Sequence, residues 1–203
     1  MTYRADFDVA ALPDAGFNTR APIWWGQLWM MAIEGTIFTI LIASYFYTRA
    51  GYSVWPPPRA AVPGLGIPTL VTALLLVSCI PMRISEKAAT KANMRLAAIT
   101  LGIGTLIAIA VIALRWYELN QWNFKWSTGI FGSYVWCLVG LHTMHLIADT
   151  VESLVILGIL TFGRVGAKQQ QGVEVDGLYW YFVVLIWIPV YIVVYIYPAM
   201  LKG

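Results

Sequence analysis

The chain has 203 residues, 60% of them hydrophobic and only 11% charged, with a mean hydropathy of +0.71; a soluble globular domain carries roughly a quarter charged residues. That composition excludes an ordinary soluble domain and describes a polytopic membrane protein whose length fits one bundle. The net charge of +3 is too small for a nucleic-acid reader, which needs a basic patch.

Residues 1–22 form a tail with Asp6, Asp8 and Asp14 and no apolar core. It is not a signal peptide, so the first span inserts as a permanent helix. The remainder, 23–203, reads as a single transmembrane domain. A bilayer core takes about 20 apolar residues as a helix. Five stretches qualify: 23–47, broken only by Glu34; 67–82, short and containing Pro68 and Pro81; 96–114; 128–162; and 178–200. None alternates in the manner of barrel strands, so the predicted fold is all-α, a five-span helix bundle.

The connections differ in kind. Trp55-Pro56-Pro57-Pro58 and then Pro63-Gly64-Leu65-Gly66 cannot be helix. Residues 83–95 read as a basic hairpin with Lys87 and Lys91. Residues 115–125 are aromatic and polar, and 164–176 read as a soluble connection with a glutamine run. Basic residues in loops set orientation. Eight fall on the side of the N-terminal tail, among them Arg4, Arg20 and Arg164, against five opposite: Arg49, Arg59, Arg115, Lys125 and Lys202. This places the N-terminus inside and the C-terminus outside.

Cys79 and Cys137 both lie in apolar spans and read as buried small hydrophobes. No CxxC or CxxCH occurs, so neither a covalent haem site nor a zinc knuckle is present. Aromatics gather at span ends: Trp24, Trp25 and Trp29; Trp116, Tyr117 and Trp122; Trp180 and Tyr181; Tyr195 and Tyr197. The bland reading is an interfacial belt; the sharper one is a quinone or haem pocket, supported by aromaticity alone.

Polar residues inside the spans carry the functional signal. Glu34 lies well inside the first span, where a carboxylate costs about 2.5–3.5 kcal/mol on insertion scales. Gln27, Phe38, Leu41 and Tyr45 share its face. It reads as a carboxyl bonded to a neighbouring helix, as a proton-handling group, or as one facing bound lipid. The only two histidines, His142 and His145, sit three apart in the fourth span and so share a helix face. Asp149 and Glu152 continue the stripe within an arc of about 80°, with Tyr134 further up. Three readings stand: packing and hydrogen bonding to neighbouring helices or headgroups, a proton path or reservoir, and a metal site. His142 to Glu152 covers about 15 Å of rise, too far for one ion, and Glu118 belongs at the outer surface. Asp149 lies about 31 Å along the helix from Thr128, which puts it near the cytoplasmic interface.

These features follow an order that resembles subunit III of the haem–copper respiratory oxidases. Ile33-Glu34-Gly35-Thr36-Ile37-Phe38 resembles that family's embedded glutamate ahead of a phenylalanine-rich turn. Trp55-Pro56-Pro57 resembles its Trp-Pro-Pro, and Trp116-Tyr117-Glu118 its aromatic-Glu. Gly132-Ser133-Tyr134 and Gly140-Leu141-His142-Thr143-Met144-His145 are similar to its Gly-Ser and Gly-Phe-His-Gly-Leu-His. Residues 179–183 through Trp187 resemble its closing Tyr-Trp-His-Phe-Val run. Tyr181 stands where the family has histidine, Val184 where it has aspartate, and Asp149 and Glu152 where it has small or apolar residues. The long form has seven spans; this chain resembles the shorter bacterial members.

The resemblance implies a non-catalytic subunit that binds no haem or copper of its own. It implies packing on catalytic subunit I, and on subunit II, which would hold the haem and copper. It also implies phospholipid in a cleft between helix groups, and support of proton uptake and durable turnover in the bacterial cytoplasmic membrane. Glu34, His142, His145, Asp149, Glu152 and Glu118 are the candidate lipid- or proton-linked residues; no catalytic or metal residue is assigned. Alternatives are the accessory subunit of a nitric oxide reductase, a stand-alone proton-coupled transporter, which would show internal repeats not found here, and a metalloenzyme.

Overall fold

The computed structural model describes residues 21–58, 60, 62–163 and 167–202. Nearly all of the tail over 1–22, including Arg4, Arg20, Asp6, Asp8 and Asp14, lies outside the described residues, as do Arg59 and Arg164. Five helices are long and apolar enough to cross a bilayer, and no strand occurs among the described residues. They are α1 (Pro22–Ala50), α2 (Gly66–Thr90), α3 (Met94–Gln121), α4 (Ile130–Phe162) and α5 (Ala167–Tyr191). A π turn (Ile192–Ile196) and the short α6 (Tyr197–Lys202) prolong α5.

Local chemistry sets the ends. α1 opens on Pro22, whose missing N–H and preset φ suit a first helical turn. The Asn93 side chain caps α3 by accepting from the Leu96 N–H at 3.2 Å. Ala92 takes a left-handed φ of 57° to turn the chain between α2 and α3. There the N–H groups of Ala92 and Asn93 donate to the carbonyls of Ala89 and Ala88, each at 2.9 Å, closing the helix end as a C-cap does. Pro189 and Pro198 flank the π turn; each lacks the N–H that would continue the regular ladder.

Three expected connections shrink. α2 continues through Thr90 and α3 starts at Met94, so the basic hairpin is only residues 91–93, and α2 is a full 25-residue helix. α3 carries on to Gln121, which puts Arg115, counted among the loop charges, fully inside the bundle. α5 begins at Ala167, so Asp176, expected in a soluble loop, is helical and buried. Charged residues close these helices beyond their apolar stretches, and hydropathy reports apolar length, not helix length. The Trp-Pro-Pro-Pro segment and the loop after it are irregular.

α2, α3, α4 and α5 form a closed ring, each packing on its two neighbours, and α1 leans on the α4–α5 side. α1 buries only Met31, Phe38 and Tyr45, seven residues apart and therefore one narrow seam. The ring is held by α5. The fully buried Trp180 donates to Ser78 on α2 at 2.9 Å, and Trp187 donates to Thr72 on α2 at 2.8 Å. α2 and α5 approach closely at Gly177, where a Cβ would collide with the Glu86 side chain.

The belt reading of the aromatics splits. Trp25, Trp29, Trp116 and Tyr117 are exposed apolar surface, whereas Trp180 and Tyr195 are completely buried and act as core anchors. Cys137 is exposed, not buried as expected, while Cys79 is partly buried; both are free thiols. Position 137 points out of the bundle because its neighbours Val135, Leu138 and Val139 supply the buried face. Truncating Trp187 to Ala removes a fully buried indole together with its bond to Thr72 and should cost about 3–5 kcal/mol. A thermal-melt series in detergent should show a lower midpoint for Trp187→Ala and a smaller drop for Trp187→Phe.

Candidate functional site

The embedded glutamate sits where α1 meets the ring. Tyr179 of α5 donates its hydroxyl to Glu34 Oε2 at 2.9 Å, and His145 Nε2 of α4 stands 3.6 Å from the same oxygen. His145 Nδ1–H donates to the Leu141 carbonyl at 2.7 Å, which leaves Nε2 facing the carboxylate. Phe38 packs on the His145 ring at 5.3 Å. Three helices thus converge on one partly buried carboxyl, with an imidazole and a phenol as its neighbours. Beside it, Trp25, Leu28, Trp29, Met31, Ala32 and Phe182 line an apolar groove of about 470 Å³ between α1 and α5. Such a groove matches an acyl chain in character.

The ionisable stripe of α4 meets several different neighbours. His142 and Asp149 are fully buried and face the ring, His145 faces α1, and Glu152 is exposed. His142 Nε2–H donates to the Val183 carbonyl at 3.1 Å, and its ring packs on Trp187 at 4.7 Å. An 80° arc is wide enough to straddle a helix–helix junction, so neighbouring members meet different elements. Asp149 is enclosed by the protein, so its carboxyl is shielded from solvent at whatever depth it lies. Tyr134, higher on α4, has its hydroxyl within 2.7 Å of Ser44 and 2.8 Å of Thr48 on α1.

Glu118 lies in the last turn of α3, beside the loops that flank it. It is buried, accepting from Arg115 Nη1 at 2.5 Å and from the Tyr195 hydroxyl at 2.6 Å. The Arg115 guanidinium lies 4.1 Å from the centre of the Trp187 ring. A fully buried arginine is tolerable because a carboxylate, a phenol and an indole face surround it. Among the described residues, no group of three or more His, Cys, Asp or Glu side chains converges as a metal site.

The pattern of a mid-span glutamate, a paired-histidine helix and a tyrosine–tryptophan closing helix has counterparts. The family model for cytochrome c oxidase subunit III matches residues 17–199. The chain belongs to the cytochrome c oxidase subunit III family. Subunit 3 of Thermostichus vulcanus is 26% identical over 175 residues, covering 84% of this chain and 85% of its own. That of Synechocystis sp. is 27% identical, covering 84% and 74%. That of Alkalihalophilus pseudofirmus is 28% identical over 167 residues, covering 78% and 80%. Five apolar helices make this subunit III a membrane protein, its family places it in the respiratory chain, and its relatives include bacterial proteins.

Sequence reading singled out Glu34 and both histidines but missed their partners. Tyr179 lay in a segment read for its resemblance, though it is three residues past Asp176 on the same helix face. Arg115 and Asp176 were assigned to loops by their charge. Replacing Glu118 by Leu leaves the Arg115 charge buried without its counter-ion and should cost about 3–5 kcal/mol. Thermal unfolding of the purified protein reads this; an unchanged midpoint would show that Tyr195 and Trp187 suffice.

Proposed function

We propose that this subunit III is the non-catalytic membrane subunit of a proton-pumping haem–copper terminal oxidase, in a bacterial cytoplasmic membrane with its N-terminus inside. It packs on the catalytic subunit I and on subunit II, which carry the haem and copper. It forms a single transmembrane domain over 23–203 behind a cytoplasmic tail, supports proton uptake and durable turnover, and holds phospholipid between α1 and the ring.

The observation that carries this reading is the loosely seated α1. It touches the ring along one seam, it leaves an apolar groove at α5, and it presents Glu34 to Tyr179 and His145. A carboxyl at such a junction is placed to exchange protons or to meet a headgroup. His142 serves packing between α4 and α5. The exposed hydrophobic residues of the bundle, among them Ile33, Ile40, Leu106 and Leu185, provide apolar surface for lipid and for neighbouring subunits. The relatives are named cytochrome c oxidase subunit 3, which favours an oxidase over a nitric oxide reductase accessory subunit or a stand-alone transporter.

Native purification tests the assembly: haem- and copper-containing oxidase subunits should migrate with this chain, and quantitative recovery as a lone monomer would overturn the reading. Glu34→Ala should leave that assembly intact while reducing retained phospholipid or the number of turnovers before activity decays. Collapse of the complex would instead assign Glu34 to structure.

A further inference from the structure

Two aspartates on facing helices are completely buried. Asp149 of α4 and Asp176 of α5 are each 0% exposed. Ser153, one turn beyond Asp149 on α4, lies 2.9 and 3.1 Å from the two carboxyl oxygens of Asp176 and donates to them. Both carboxyl oxygens of Asp149 are buried and have no hydrogen-bond partner among the described residues. The groups that act on Asp149 electrostatically are Asp176 and Glu152, so the unpartnered side chain is set among acids.

Among the described residues, the groups around the two aspartates are mostly acidic or neutral. From α4 come Glu152, which is exposed, and the Ser153 hydroxyl. From α5 come Glu174 and Tyr179, whose hydroxyl already donates to Glu34 of α1 at 2.9 Å. From α2 comes Glu86, which acts on Asp176 and is itself paired with Arg83 at 2.7 Å. Among the described residues, neither aspartate makes an ion pair.

A buried carboxylate with no donor is one of the most unfavourable groups a protein can contain, and two in mutual range cannot both be ionised. A metal ion would answer the charge, but calcium takes six or more oxygens and magnesium a near-octahedral shell. No cluster of three or more ligating side chains exists among the described residues. A proton needs only the two carboxyls. We propose that Asp149 and Asp176 form a buried proton-binding site: Asp149 holds the proton as a carboxylic acid while Asp176 stays a carboxylate, held in place by the Ser153 hydroxyl. The pair then carries one negative charge. Glu152, exposed and three residues from Asp149, is the group through which this proton exchanges with the outside. The site is internal to the chain, so it does not depend on which oxidase subunit covers the surface.

Infrared spectra of the purified full-length chain in lipid nanodiscs at neutral pH test this. The unaltered protein should show a carboxylic-acid C=O stretch that moves in D2O and on labelling all aspartates with 13C. That band should be lost in Asp149→Asn and kept in Glu152→Gln, whose exchange into D2O should be slower. The labelling arm uses no substitution, so the decision does not depend on a variant folding. No aspartic-acid band in the unaltered chain, or a band that survives Asp149→Asn, would overturn the proposal. So would a band that vanishes on adding sodium, calcium or magnesium, which would assign the pair to a cation.

Discussion

In hydrocarbon a polar side chain finds partners only within the protein, and here the ring closes around one indole. Trp187 of α5 donates its N–H to Thr72 on α2, receives the Arg115 guanidinium of α3 on its face and packs the His142 ring of α4 against its side. Four helices meet at a single side chain that is completely buried. Apolar matching cannot hold such a bundle together, because lipid tails are as apolar as leucine; close packing and interhelical hydrogen bonds must. Trp180 repeats the device with Ser78. The buried pair Arg115–Glu118 becomes tolerable by the same logic, since Tyr195 and Trp187 complete its surroundings.

α1 lies outside that arrangement and is tied differently at its two ends. Near its C-terminus, Tyr134 of α4 bonds Ser44 and Thr48, and Trp55 of the following loop donates to Tyr45 at 2.7 Å. Tyr45 also packs edge-on to Trp55 and Tyr134. Towards its N-terminus the contacts thin to the seam through Met31, and the apolar groove opens there beside Phe182. Glu34 lies between the pinned end and the open one. A helix with few buried contacts is among the less stable elements of a fold, and it is the element that carries the partly buried Glu34 carboxyl. Asp149 and Asp176 sit deeper, fully buried between α4 and α5.

Much of this was readable in one dimension. Apolar length determined five helices and excluded strands, because a bilayer demands about 20 residues per span. The Trp-Pro-Pro-Pro segment had to be loop because proline withholds an N–H. Glu34 and the paired histidines stood out because ionisable groups are costly in lipid, and their order along the chain pointed to the family. Helix ends were not readable, since charged turns such as 83–90 and 167–176 extend beyond the apolar runs.

The sequence by itself therefore determined the number and kind of the spans, the proline-rich loop and the family. Only the tertiary structure decided what each polar group meets. His142 and His145 share a face yet part company because that face straddles two neighbours, Val183 on one side and Glu34 on the other. Tyr179 reaches Glu34 across 145 positions and Tyr195 reaches Glu118 across 77. Periodicity along one helix shows which direction a side chain takes; it carries no information about which other helix stands there, and the energy of a buried charge depends on that neighbour alone.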